Sequence, residues 1–284
     1  MIEFSPSKID YPKKKWGQNF LVDRNIARKI LDCADIQAKE AVIEIGPGRG
    51  ILTEGLLERG AKVRAIEIDR DLIRTLHHST RLSHGSAEAR GELDLIQGDA
   101  LDYSYSSIPA PYKVVSNLPY NISSPILFRL LEEKARISRM VLMLQKEVAE
   151  RLVATVNEPA YGALSIIMQS RADVSIAFSV SPNCFRPRPK VGSAVLRILP
   201  RAKPKIPSRD EILFVRLVRG AFQHRRKTLS NALVCSGFDL EDVHEVLSKM
   251  DIDPRRRAET LSITDFAELT NTMQNLISPV DMKK

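Results

Sequence analysis

Four residues, Asn117-Leu118-Pro119-Tyr120, follow the apolar pair Val114-Val115. Pro119 has no backbone N–H and pushes Leu118 into an extended conformation. The Leu118 carbonyl and the Asn117 side chain are then predicted to leave a strand end as acceptors, with Tyr120 beside them as a flat face. Two acceptors and an aromatic suit a planar ring that carries an amino group. Taken alone, the same residues also read as a strand ending in a turn, since Asn and Pro are ordinary loop residues. Three further pieces bear on the choice. Gly46-Pro47-Gly48-Arg49-Gly50 is a glycine turn that lets a ligand approach the backbone. Glu67 stands 21 residues after Gly46, where a carboxylate can accept both hydroxyls of an adenosine ribose. Asp99 follows Gly98. The glycine spacing is GxGxG rather than GxGxxG, which disfavours a nicotinamide dehydrogenase.

These residues need strands to carry them to one place. Ala41 to Ile45 reads as a buried strand running into the glycine turn and then a helix from Ile51 to Arg59. Val63 to Asp69 is a second strand and delivers Glu67. Asp69 is predicted to cap a helix from Arg70 to Leu76, followed by a polar surface loop from His77 to Gly91. Leu93 to Gln97 is a third strand and delivers Asp99. The strand before Asn117 is the fourth, and Met140 to Gln145 the fifth. Open α/β sheets bind ligands at the carboxyl ends of their strands, so all four pieces are expected at one edge. Asp23 caps a first helix, Arg24 to Ala34, and Ser123 or Ser124 caps another from Ile122 to Arg136. Leu164 to Ser170 and Val174 to Val180 read as two strands, or as a strand and a short helix. Val191 to Leu199 is a last strand. Pro200 to Pro207 holds three prolines and marks the expected domain boundary. The pattern beyond it is helical, over 211–223, 227–234, 240–250 and 263–276. The expectation is an α/β domain over 1–203 and a small all-helical domain over 204–284.

Composition narrows the class. The chain has 284 residues, enough for a sizeable core, with no apolar run near the roughly 18 residues of a membrane span. The first fifteen residues contain no apolar signal region. Cys33, Cys184 and Cys235 are odd in number and form no CxxC, and the five histidines show no metal spacing. A reducing cytoplasm, no disulfide and no metal are therefore expected. The net charge of +8 is concentrated: Phe185 to Ser230 carries 13 basic and 2 acidic residues, while the remainder is net −3. An excess so localised points to a polyanion, and nucleic acid is the expected partner.

The motifs, taken together, resemble one family. Gly17-Gln18-Asn19-Phe20-Leu21, Glu44-Ile45-Gly46-Pro47-Gly48-Arg49-Gly50, Glu67, Gly98-Asp99-Ala100, Asn117-Leu118-Pro119-Tyr120, Gln145-Lys146-Glu147-Val148-Ala149 and Phe185-Arg186-Pro187-Arg188-Pro189-Lys190-Val191 occur in the order found in the ribosomal RNA adenine dimethyltransferases. The resemblance covers Lys13 to Ala258. Trp16 stands where a smaller aromatic is usual. Tyr161 to Leu164, Gln169 to Asp173 and Ala221 to Arg225 look more like archaeal members than bacterial ones.

The resemblance implies a Rossmann-like, mostly parallel α/β fold that uses S-adenosylmethionine and releases S-adenosylhomocysteine. It implies Gln18, Asn19, Leu21, Gly46, Gly48, Glu67, Asp99 and Asn117 around that cofactor, with Glu67 on the ribose, Asp99 on the adenine amine, and Gln18-Asn19 closing over it. Its product would be N6,N6-dimethyladenosine at two adjacent adenosines near the 3′ end of small-subunit rRNA, made during ribosome assembly, with the rRNA itself or an immature small subunit as the partner. A monomer is expected. Asn117, Leu118, Tyr120 and Phe185 are then the catalytic set, with Tyr120 and Phe185 sandwiching a flipped adenine. Arg186, Arg188, Lys190, Arg225, Arg226 and Lys227 are the expected RNA contacts. A large-subunit rRNA methylase, or an assembly factor that keeps the fold without catalysis, are the competing readings.

Overall fold

The computed structural model describes residues 18–82, 91–201, 203, 210–224 and 226–276. Its elements are, in order, β1 (Phe20–Leu21), α1 (Arg24–Ala34), β2 (Ala41–Ile45), α2 (Ile51–Glu58), β3 (Lys62–Glu67), α3 (Arg70–Leu82), β4 (Glu92–Gln97), β5 (Tyr112–Asn117), α4 (Ser123–Glu132) and β6 (Ile137–Gln145). There follow α5 (Lys146–Val153), α6 (Ala163–Arg171), β7 (Ala172–Val180), β8 (Phe185–Arg186), β9 (Ser193–Pro200), α7 (Glu211–Gln223), α8 (Leu229–Cys235), α9 (Leu240–Lys249) and α10 (Ile263–Leu276).

Seven strands form one sheet in the order β4-β3-β2-β5-β6-β9-β7. The ladders from β4 through β6 are all parallel, and β9 runs antiparallel to β6. Val42, Val63, Ala65, Val114, Val115 and Met140 to Leu144 are all buried, as expected of strands covered on both faces. The chain leaves β2 in one direction for β3 and β4, then returns to its other side for β5 and β6. That reversal is where an open α/β sheet presents a crevice. The β2–β5 ladder pairs Val42 with Lys113 and Ile43 with Val114, and beyond it the Ser116 hydroxyl donates to the Ile45 carbonyl.

Helix ends have local causes. Asp23 accepts from the N–H groups of Asn25 and Ile26 and starts α1. At the other end Asp35 turns left-handed, and two cations take up the carbonyls that the helix leaves unpaired. Lys113 Nζ reaches Asp35 O at 2.6 Å, and Arg139 reaches Cys33 O and Ala34 O at 3.3 Å each. Lys113 also pairs with Glu40 at 2.9 Å.

Several expectations change. Helix α3 does not stop at Leu76 but continues through His77 to Leu82; Leu72 and Leu76 bury one face, and no breaker interrupts the polar face. The loop expected from His77 is therefore helix at its start, and 83–90 lie outside the described residues. Ile122 occupies the cap position of α4 without a side-chain cap, while the Ser123 hydroxyl turns back to the Tyr120 carbonyl at 3.2 Å. The ambiguous stretch after 163 is a helix joined directly to an edge strand. The two-residue ribbon of β1 and β8, antiparallel and separate from the main sheet, was not foreseen.

The chain divides into two compact units: Met1–Ala149 with Ser175–Pro200, and Glu150–Val174 with Arg201–Lys284. The second unit thus begins its main stretch at Arg201 rather than at 204, and takes in a segment from the first 203 residues. Its inner face explains why. Phe222 lies between Tyr161 and Phe266, with ring centroids 6.1 and 6.0 Å away, and the Tyr161 hydroxyl donates to Leu261 O at 3.0 Å. Proline spacing marks a break along the chain but cannot reveal a segment that packs elsewhere.

Lys113 is 7% exposed and serves both a carboxylate and a helix terminus. Lys113→Met is expected to lower unfolding stability by about 2 kcal/mol, measured by urea denaturation, since it takes the cation from the half-buried Glu40 and from the Asp35 carbonyl, leaving each with Gln37 alone.

Candidate active-site cleft

The carboxyl ends of β2, β3, β4 and β5 open onto one cleft in the first unit. Gly46, Gly48, Glu67, Gly98, Asp99, Asn117, Leu118 and Tyr120 all line it, and so do Gln18, Asn19, Phe20 and Leu21. The four sequence pieces therefore meet, and the N-terminal segment joins them.

The glycine turn is tight for a definite reason. Gly48 has φ +57°, and a Cβ there would lie 3.0 Å from the Phe20 ring. A side chain at 48 would meet both backbone strain and the aromatic that covers the turn. Phe20 in turn lies 4.8 Å below the Arg49 guanidinium. Pro119 packs over Gly46, at 3.5 Å from where a Cβ would sit.

Glu67 is 6% exposed and faces the turn. Its Oε1 accepts from the Asp69 N–H at 3.0 Å and its Oε2 from the Gly48 N–H at 3.3 Å. Burial pushes this carboxyl above its usual range, and the backbone donors pull it partly back. Behind it stands Glu44, 2% exposed, which sequence reasoning did not single out as a site residue. Burial pushes Glu44 up to about 8; the Thr53 hydroxyl, donating at 2.6 Å, opposes this and the charge of Glu67 adds to it. Two carboxylates so close do not ionise together readily, and burial selects Glu44 as the neutral one. The only signal for this in the sequence was its place in the strand just before the glycine turn.

Asn117 ends β5. Its Nδ2 donates to the Asn19 carbonyl at 3.1 Å, while its Oδ1 is buried and has no partner among the described residues. The Leu118 N–H is used on Met143 O at 3.1 Å and its side chain is buried, so the backbone carbonyl is the group it can offer. The Tyr120 hydroxyl meets Ser193 Oγ at 2.7 Å, which fixes the ring from β9. Ser193 is a contributor that carried no sequence signal. Gln18 Nε2 donates to Asp69 Oδ2 at 3.1 Å. Asp99 Oδ1 accepts from the Leu101 N–H at 2.9 Å.

Phe185 departs from the expected sandwich. It is fully buried, opposite Leu21 in the β1–β8 register, and packs in the core with Ala27, Ile30, Val180 and Val195. It does not line the cleft. Its motif suggests a stacking aromatic, but pairing with β1 turns Phe185 inward, as an ordinary core residue, and Arg186 outward. Arg186, Arg188 and Lys190 are exposed, as are Arg226 and Lys227 in the second unit. Arg225 lies outside the described residues. Among the described residues no group of three or more His, Cys, Asp or Glu could hold a metal ion, and no helix is long and apolar enough to cross a membrane.

Known proteins share this arrangement. The model of one family, described as ribosomal RNA adenine dimethylase, matches residues 9–275. The ribosomal RNA small subunit methyltransferase A of Moorella thermoacetica is 42% identical over 275 residues, covering 93% of each chain. The protein of the same name from Geobacter metallireducens is 42% identical over 271 residues, covering 93% of this chain and 96% of its own. Both sources are bacterial, whereas the motifs of the helical part leaned towards archaeal members. Among solved structures, a dimethyladenosine transferase from Plasmodium falciparum superposes with a TM-score of 0.74 at 28% identity, covering 88% of this chain and 95% of that one.

The state of Glu44 has a pH signature. Its carboxyl is raised in the folded chain, so the native state holds a proton that the unfolded state releases from about pH 4.5 upward. Stability from this group is present below that point and is lost as pH rises towards about 8. Glu44→Gln, which keeps the neutral shape, is expected to be more stabilising relative to the parent at pH 8 than at pH 5. Urea denaturation without cofactor at the two pH values checks this.

Proposed function

The chain belongs to the ribosomal RNA adenine dimethylase family, and from that membership we propose that it dimethylates two adjacent adenosines near the 3′ end of small-subunit rRNA. It is an S-adenosylmethionine-dependent rRNA adenine dimethyltransferase. The small-subunit reading rests on the relatives of that name. In this reading the enzyme works as a monomer in the cytoplasm on an immature small subunit.

The observation that carries the chemistry is the buried Asn117 Oδ1, without a partner among the described residues, beside a glycine turn and a buried Glu67. The residues present suit S-adenosylmethionine: a carboxylate held by backbone donors for a ribose, a turn with no room for a side chain, and an aromatic cover. When bound, that cofactor supplies a methyl group on a positively charged sulfur. Glu67 holds the ribose hydroxyls through charge-assisted bonds worth about 1.5–3 kcal/mol each. Asp99 holds the cofactor's adenine amine. Gly46 and Gly48 let the ligand lie against the backbone, and Gln18, Asn19 and Leu21 close the remaining side.

The other half of the cleft receives the target base. An exocyclic amine is a poor nucleophile because its lone pair is delocalised into the ring. Asn117 Oδ1 and the Leu118 carbonyl each accept one N–H of that amine, which favours the pyramidal form and aims its lone pair. No general base is needed for this; the acceptors orient the amine and stabilise the charge it gains. Each transfer leaves the nitrogen positively charged with one proton too many, which passes to water as the amine leaves the acceptors; after the first, a single N–H remains, and either acceptor can hold it for the second transfer. Tyr120, anchored by Ser193, covers one face of the base, and such stacking contributes about 1–3 kcal/mol. Phe185 would reach the other face only by leaving its core position. Arg186, Arg188, Lys190, Arg225, Arg226 and Lys227 bind phosphates of the RNA.

Three measurements test this reading. Immature small subunits incubated with labelled cofactor should carry label on two adjacent adenosines near the 3′ end; label on large-subunit rRNA alone would count against it. Asn117→Ala should lower single-turnover transfer at least 100-fold while binding S-adenosylhomocysteine within a few fold of the parent. Arg188→Glu with Lys190→Glu should weaken RNA binding and flatten its dependence on salt, with cofactor affinity unchanged.

A further inference from the structure

An amide side chain has two ends of nearly equal size, and only one of them accepts. At Asn117 the choice is made by Asn19. The Asn19 carbonyl can only accept, and it lies 3.1 Å from Nδ2. Turning the amide over would set two oxygens against each other and leave the NH2 group where the acceptor is needed. The orientation present leaves Oδ1 at the cleft without a partner among the described residues. Asn19 is itself held on both sides. Gln18 is tied to Asp69, and β1 is paired with β8 through Phe20 with Arg186 and Leu21 with Phe185. The Val22 N–H extends that ladder to Cys184 O at 2.9 Å.

We propose that the Asn19 backbone carbonyl is a positioning group for catalysis: it selects the orientation of the Asn117 amide, so the segment that closes the cofactor side of the cleft also sets the acceptor on the base side. This rests on Asn117 being the acceptor for the target amine. It gives β1 a second task beyond covering the cofactor, and it makes correct seating of the N-terminal segment a condition for methyl transfer.

A backbone carbonyl cannot be substituted, but its partner can. In Asn117→Asp the neutral acid donates an O–H to Asn19 and keeps one free acceptor, as the amide does. The ionised form has no donor and repels the Asn19 carbonyl. Among the described residues the other charged or titratable groups around the cleft are Glu44, Glu67, Asp69, Asp99, Arg49 and Tyr120; they are common to parent and variant, so the ratio of the two isolates the new group. Single-turnover transfer at saturating cofactor and RNA, from pH 5 to 8.5, should show that ratio falling at least tenfold as the new carboxyl ionises. A ratio that is flat or rises with pH overturns the positioning role. Val22→Pro provides a second variant outside the cleft: it removes the N–H bonded to Cys184 and fixes φ at 22, keeping Leu21 before it extended as a strand requires. Its transfer rate at saturating cofactor should fall at least fivefold; a change confined to the cofactor KM would mean that β1 is only a cover. Asn117→Ala separates the two readings: if it transfers at the parental rate, the acceptor reading itself fails, whereas an inactive alanine variant with a flat aspartate ratio removes only the role of Asn19.

Discussion

Parallel pairing is the constraint on which the rest of the molecule depends. From β4 to β6 every ladder runs the same way, so each strand delivers its last residue to the same edge. Gly46, Glu67, Asp99 and Asn117 are far apart along the chain, yet each is the residue at or just after a strand's carboxyl end. The reversal between β2 and β5 then opens a crevice between the glycine turn and Asn117. In the proposed reading, the cofactor half and the base half of the cleft are consequences of one topology rather than two separate constructions.

Within that crevice the electrostatics are graded by burial. A cationic cofactor favours negative walls, but a water-poor cleft cannot hold several carboxylates all charged at low cost. Glu44 is placed deepest and is driven towards its neutral form, with Thr53 satisfying it. Glu67 takes two backbone N–H groups that offset its burial. Asp99 takes one, from Leu101.

Much of this was legible in the amino-acid sequence because strand ends and glycine turns are local features. The glycine turn, Glu67, Asp99 and Asn117 could each be placed by the apolar run before it. What was not legible depends on distant partners. Phe185 looks like a stacking aromatic until Phe20-Leu21 is laid beside it. Ser193 matters only because Tyr120 reaches it across 73 residues. Glu150–Val174 joins the helical unit through Tyr161, whose hydroxyl partner Leu261 lies 100 residues away. Helix α3 reads as shorter in the sequence because its exposed face is as polar as a loop, while Leu72 and Leu76 lie buried beneath it.

The ribbon of β1 and β8 is two residue pairs long and stands apart from the seven-stranded sheet. A ladder that short offers few backbone hydrogen bonds. What holds it is burial: Leu21 and Phe185, paired in register, both belong to the core of the first unit. The segment that covers the glycine turn is therefore anchored through the side chains beneath it rather than through the length of its pairing.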